Sequence, residues 1–330
     1  MSSLAEGIRA AVFFTGFLPS FTRVGYCVRR PTWTTQAPRF DGQRWIVTGA
    51  STGIGREIAR LAALRGATVM TIARSRDRLD ALAADVAAAN NGGHPGTIEP
   101  LGLDLSQVSA VDRLLDLLPA FGPVDVLVNN VGALPERSVR TPEGLDAAFA
   151  TNLLNPWLLT RGALERGLLN SGATIVDMSS GGMYNVALEL ERLEHDRPWN
   201  GALVYARHKR AQVALAAQLA ADCARDGRDV RHYVMHPGWV DTPGVRHSMP
   251  AFHRLLEPLL RDVGAGADTA LWLAAERPRA GADGIWFDRA LRPAHVFPGT
   301  RAGDSVEALV AYLERRAADA RREADTGHPG

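Results

Sequence analysis

From Arg44 onward the chain alternates short runs of β-branched and aliphatic residues with longer stretches in which Ala, Leu and Arg recur at helical spacing. A strand covered on both faces reads as a short apolar run bounded by turn formers, and a helix covering a sheet carries an apolar stripe. The pattern predicts seven strands, over residues 44–48, 68–72, 97–101, 124–129, 174–178, 230–235 and 284–287. Between them it predicts helices over 55–64, 76–89, 108–118, 144–169 and 202–222, several closing near a glycine such as Gly66 or Gly227. Repeated βα units joined by right-handed crossovers give an α/β fold: a seven-stranded, mostly parallel, doubly wound sheet with helices on both faces.

No composition break follows Asp41, so residues 41–300 read as a single Rossmann-fold domain. Residues 1–40 form an N-terminal helical extension and 301–330 a C-terminal helical tail, whose Ala-, Arg- and Glu-rich helix over 306–324 reads as solvated. The net charge of +1, with scattered basic residues, leaves no footprint for nucleic acid. Cys27 and Cys223 are too few for a disulfide framework and suit a reducing, cytoplasmic compartment. The apolar run at 10–18 is too short to span a bilayer; residues 4–18 fit an amphipathic helix, either packed on the domain or in peripheral contact with a membrane. Nothing here decides between a monomer and a homo-oligomer. Histidines such as His94, His195 and His253 lack metal-ligand spacing, and no metal is expected.

The first strand runs through Thr48-Gly49-Ala50-Ser51-Thr52-Gly53-Ile54-Gly55 straight into a helix. Glycines let the backbone turn sharply and approach a pyrophosphate, while the helix N-terminus presents free N–H groups to it. Gly49, Ser51, Thr52, Gly53, Ile54 and Gly55 therefore read as a dinucleotide cradle. The second strand ends on Arg74, where an acidic residue would bond the 2′-hydroxyl of NAD; a guanidinium suits the 2′-phosphate of NADP and leaves NAD as the second choice. Asp104, beside Leu105, can accept from an adenine amino group or cap a helix. Asn130, Val131 and Gly132 follow the fourth strand, where a small residue permits close backbone approach.

Tyr205 and Lys209 stand at i and i+4 on one helix face. A phenol is a poor base at neutral pH, and a neighbouring ammonium favours phenolate, so Tyr205 can exchange a proton with a carbonyl or alcohol oxygen. Ser180, at the end of the fifth strand, can bond the developing alkoxide. Asn152 falls inside an apolar helix, where a buried amide must find partners, and can hold a water relaying protons towards Lys209. After the sixth strand, Pro237, Gly238, Val240 and Thr242 lie in a rigid loop whose backbone and Thr242 hydroxyl can hold a carboxamide.

In their order and spacing these segments resemble the short-chain dehydrogenases/reductases over about residues 42 to 290. The resemblance implies an oxidoreductase that reduces a carbonyl or oxidises an alcohol on a small molecule. It gives Asn152, Ser180, Tyr205 and Lys209 the roles of a catalytic tetrad and has Lys209 also bond the nicotinamide ribose. A nucleotide-binding regulatory protein of the same fold is the alternative, and an intact tetrad argues against it. A narrower likeness to one family member, carried by Ser179-Ser180-Gly181-Gly182-Met183 and Met235-His236-Pro237-Gly238-Trp239, brings no substrate with it. Val131 stands where the family more often has Ala, and His208 replaces a small residue before the lysine. The long stretch between Ser180 and Tyr205 resembles the retinol-dehydrogenase-like members; its segment 188–199 is expected to border the substrate mouth. Met183, Trp239, Met249 and Phe252 are expected to line an apolar cleft.

Overall fold

Side chains alternate across β1, Arg44–Thr48, so that Trp45 and Val47 enter one apolar cluster and Ile46 the other. That alternation is the root of a three-layer architecture, seen in a computed structural model that describes residues 15–33, 36–89, 96–134, 136–194, 198–279 and 284–326. The remaining strands are β2 Thr68–Ala73, β3 Ile98–Gly102, β4 Val124–Asn129, β5 Leu169–Met178, β6 Arg231–Met235, β7 Gly284–Phe287 and β8 Ala290–Pro293. They form one sheet in the order β3-β2-β1-β4-β5-β6-β7-β8, parallel from β3 through β7. The order reverses at β1 and β4, and the crevice between their carboxyl ends is where such sheets take ligands.

All seven strands of the hydrophobic pattern are present, but the count of seven is one short. β8 pairs antiparallel with β7 through a turn at Asp288 and Arg289, whose φ angles are 49° and 57°. Neither Asn nor Gly marks that turn, and β8 is a largely exposed four-residue strand ending in Pro, so it carried no strand signature.

Helices α1 Gly53–Leu64, α2 Arg76–Ala88 and α6 Val263–Glu276 cover one face; α3 Val108–Phe121, α4 Asn155–Glu165 and α5 Gly201–Arg225 cover the other. α6 escaped the sequence reading because Gly264 and Gly266 depress its helix propensity, although Asp262 caps it by accepting from the Ala265 N–H. The single helix expected over 144–169 is broken. Asp146 caps a short turn at Ala147–Phe149, the chain loosens to a π-helix over Ala150–Leu154, α4 follows, and Leu169 already belongs to β5.

One expectation about the periphery needs correction. Helix α7, Val306–Thr326, is not simply solvated: Leu309, Leu313, Ala317 and Ala320 are buried against the cluster holding Phe149, Leu193 and Leu215. In the stretch from Leu188 to Glu194, Leu188 and Leu193 pack inward and Glu194 pairs with Arg316 of α7, while Glu191 and Arg192 are exposed; residues 195–197 lie outside the described residues. Of the proposed amphipathic segment 4–18, residues 1–14 lie outside the described residues; Phe17 stacks on Phe21 and Tyr184 of the domain. No described helix is long and apolar enough to cross a membrane.

Candidate active site

The turn after β1 is built for close backbone approach. Gly49 has a φ of +68°, and a Cβ there would lie 2.9 Å from the Val131 Cα; at Gly55 a Cβ would lie 2.2 Å from Asn130 Nδ2. Asn130 fills that space, donating from Nδ2 to the carbonyls of Thr48 and Gly49, while Thr48 Oγ1 accepts from the backbone N–H groups of Asn130 and Val131. These bonds lock the β1 turn to the β4 turn, which makes the switch-point crevice rigid. The N–H groups opening α1 have no side-chain cap, as a phosphate-binding helix N-terminus requires. The chain's own backbone thus fits a pyrophosphate.

The crevice has a volume of about 590 Å³ and is lined by Gly49, Ser51, Thr52, Gly53 and Ile54 from the first turn, and by Arg74, Asp104, Leu105, Asn130, Val131, Gly132 and Thr242 from later ones. Gly55 lies behind the turn against Asn130. Pro237, Gly238 and Val240 do not line the crevice: Gly238 abuts Arg261 and the Phe21 carbonyl, and Val240 is buried beside Gly266. Asp104 Oδ1 accepts from the Ser106 N–H, so the carboxylate makes a local turn rather than a helix cap, and Gln107 holds the cap position of α3. Two residues that sequence reasoning missed, Arg78 and Arg137, also line the crevice. Arg78 stands one turn beyond Arg74; both are exposed, and no ion pair among the described residues engages either. The i, i+4 spacing of the two arginines was the available signal.

Past Gly132 the crevice meets the reacting groups. A Cβ on Gly132 would sit 3.5 Å from Asn152 Oδ1 and 3.6 Å from Lys209 Nζ. Lys209 is buried and donates to the Met178 carbonyl at 2.7 Å; burial pulls its pKa down to about 8, with Asp177 acting the other way. Its Nζ lies 5.4 Å from the centre of the Tyr205 ring. Tyr205 shares a hydrogen bond with Ser180, whose Oγ also accepts from the Gly182 N–H. Burial pushes the phenol up to about 12, and the Ser180 bond opposes that only in part. Burial therefore outweighs the Ser180 bond and holds the phenol above its ordinary value. Asn152 Oδ1 accepts from the Ala133 N–H at 2.7 Å and its Nδ2 donates to the Ala133 carbonyl at 2.8 Å, bracing the loop after β4. The Asn152 carbonyl accepts from Gln212 Nε2.

Met183 does not line a cleft: the short 3-10 turn Gly181–Asn185 swings it fully into the core beside Phe21 and Tyr184. Trp239 and Phe252 remain partly exposed and meet edge to face, with Met249 nearby in sequence at the joint between two short helices. The N-terminal segment reaches this region unannounced by any sequence signal. A Cβ on Gly181 would lie 2.4 Å from the Phe21 ring, which places that ring directly beside the Ser180 turn.

His208, next to Lys209, is buried, and burial lowers its pKa to about 4 against an ordinary 6.5. A histidine whose folded pKa lies below its unfolded value weakens the fold as pH falls from 6.5 towards 4, because only the unfolded chain takes the proton there. The loss approaches about 3 kcal/mol for a shift of this size. Urea midpoints at pH 7 and 4.5 should therefore diverge less in His208→Gln than in the parent; an equal divergence would show that His208 does not govern the acid limb.

A model of the short chain dehydrogenases matches residues 43–251. Dehydrogenase/reductase SDR family member 12 of Bos taurus, the member to which the narrower likeness points, is 33% identical over 94% of this chain and 98% of its own. Retinol dehydrogenase 12 of Bos taurus is 29% identical over 81% of this chain and 84% of its own. Among solved structures, a short chain dehydrogenase from Burkholderia cenocepacia in complex with NADP superposes with a TM-score of 0.57 at 26% identity, covering 72% of this chain and 92% of that one.

Proposed function

The chain belongs to the short-chain dehydrogenase/reductase family of NAD(P)-dependent oxidoreductases, and from that membership we propose that it is an NADP-preferring carbonyl reductase acting on an apolar substrate. The observation that carries the reading is the cluster past Gly132, where Tyr205 is bonded to Ser180 and has Lys209 Nζ 5.4 Å from its ring centre. A phenol in that place can deliver a proton to a carbonyl oxygen, as reduction requires.

A bound nicotinamide would supply the hydride. The backbone of the Gly49–Gly55 turn would hold the pyrophosphate, Arg74 and Arg78 a 2′-phosphate, Asp104 the adenine and Thr242 the carboxamide, since these segments line the crevice. Ser180 and Tyr205 converge on the substrate oxygen, where Ser180 steadies the growing negative charge and Tyr205 delivers the proton. Lys209, fixed on the Met178 carbonyl, would orient the ribose, and Asn152 braces the Ala133 loop beside it. Support for an apolar substrate comes from the Trp239–Phe252 pair and from the relative named for retinol. The unpaired Cys27 and Cys223 suit a reducing, cytoplasmic setting.

The test is a panel of apolar ketones and aldehydes with NADPH and with NADH. Turnover with NADPH supports the reading; binding of neither dinucleotide, or a firm preference for NADH, removes it. Replacing Arg74 and Arg78 together with Ala is expected to weaken NADPH about tenfold or more while moving NADH little, because only the former carries the extra phosphate. Equal losses for both dinucleotides would detach the arginines from cofactor choice.

A further inference from the structure

His208 sits between three elements: its own helix α5, the π-helical turn that carries Asn152, and the inward-packed stretch around Leu193. It is fully buried. Its Nε2 lies 2.7 Å from the Leu193 carbonyl oxygen. A carbonyl only accepts, so Nε2 carries the hydrogen, and a neutral ring then offers Nδ1 as a bare acceptor. That Nδ1 lies 3.3 Å from Asn152 Nδ2.

The consequence falls on Asn152. Its Nδ2 has two hydrogens, one directed to the Ala133 carbonyl and one to His208; its Oδ1 receives the Ala133 N–H. Turning the amide over would set Oδ1 against two acceptors and Nδ2 against a donor, so only one orientation satisfies every group. Asn152 and the Gly132–Ala133 backbone flank Lys209 Nζ.

We propose that His208 is a positioning residue: its Nδ1 fixes the Asn152 carboxamide and the Gly132–Ala133 loop beside Lys209, and its Nε2 ties that arrangement, through Leu193, to the segment held under the C-terminal helix. The role rests on the tetrad reading above for its effect on turnover, whereas the hydrogen-bond geometry stands without it. The charged groups facing the ring are Lys209 and Arg207 on its own helix and Glu194 beside Leu193. Glu194 is in turn engaged by Arg316 and Tyr312 of α7, and Arg207 pairs with Glu189. Phe149 packs on the ring from the side of the π-helical turn.

Two substitutions separate the two ring nitrogens. In His208→Asn the side-chain oxygen can replace Nδ1 as acceptor for Asn152, while the bond to Leu193 is lost. In His208→Gln the amide nitrogen can replace Nε2 on Leu193, while Asn152 loses its acceptor. We expect His208→Asn to keep most of kcat and His208→Gln to lose about ten- to a hundredfold with KM little changed, as small misplacements near the chemistry do. The Asn152 side-chain amide signal in ¹H–¹⁵N spectra should stay slow to exchange with solvent in His208→Asn and become fast in His208→Gln. In the parent alone, ¹⁵N shifts of His208 should report protonated Nε2 and bare Nδ1 at pH 7. A parent protonated at Nδ1, a His208→Gln enzyme with kcat and the Asn152 signal intact, or losses in both variants that merely follow their melting temperatures, would each overturn the assignment. A parent that turns over no carbonyl would remove the reductase reading instead, and the two spectroscopic results would still decide the role of His208.

Discussion

Tyr205→Phe is expected to lower kcat for carbonyl reduction by about 10²- to 10⁴-fold, the usual worth of a positioned general acid, while NADPH binding changes little. The substitution removes one oxygen and leaves the ring, whose neighbours are unchanged. Ser180 Oγ keeps the Gly182 N–H as a partner, so the loss reports proton delivery rather than collapse of the turn. A pH series sharpens the expectation. Because burial holds the phenol at about 12, the donor form is populated throughout the range in which the protein would be assayed. Reduction should therefore show no ionisation of Tyr205 on its alkaline side up to pH 9. Alcohol oxidation needs the phenolate and should climb with pH across the same range. Lys209, at about 8 through burial, is charged below that pH and neutral above it, so whatever its ammonium lends to the phenolate fades as pH passes 8. Rates in Tyr205→Phe within threefold of the parent would end the acid assignment.

The parts of this site that could be read from the sequence are those written locally. The glycine turn needs only eight consecutive residues, and the Tyr205 and Lys209 pair needs only the helical repeat, because both functions depend on backbone geometry that near neighbours determine. Most strands were legible for the same reason, as bounded apolar runs, whereas the exposed β8 was not. What escaped depends on distant partners. Phe21 and Arg261 meet across 240 positions, and neither residue shows its role alone. Met183 was misjudged because two glycines permit a short turn that reverses its direction. Helix α7 was misjudged because two of its four buried positions are alanines, whose weak apolar character is drowned by the surrounding arginines and glutamates. His208 looked like a harmless departure beside the lysine; only the fold brings it to Asn152, 56 positions earlier.

Arg261→Ala is expected to cost about 3–5 kcal/mol of stability, the range for breaking a buried ion pair by removing one partner. Arg261 is 1% exposed and spends its guanidinium entirely inside the protein. It grips the Asp288 carboxylate through Nη1 at 2.6 Å and Nη2 at 3.0 Å, and its remaining hydrogens go to the carbonyls of Ser20, Phe21, Thr22 and Pro237. The rings of Phe287 and Tyr26 cover it at 4.8 and 5.4 Å. Asp288 holds a left-handed backbone conformation at the β7–β8 turn, which a non-glycine residue sustains only when its surroundings impose it, and Arg29 and Arg261 are those surroundings. One guanidinium therefore joins the N-terminal segment, the last hairpin and the loop before Thr242, so its loss should act at all three. Limited proteolysis near residues 20–30 should accelerate along with the fall in urea midpoint. Arg261→Lys, which cannot make the two-pronged contact, should lie between parent and Arg261→Ala. Pairing Arg261→Met with Asp288→Asn should recover part of the loss, since no buried carboxylate then depends on Arg29 as its remaining partner. A single Arg261→Ala variant that loses less than about 1 kcal/mol, with cleavage unchanged, would mean that the N-terminal segment is held by its aromatic contacts alone.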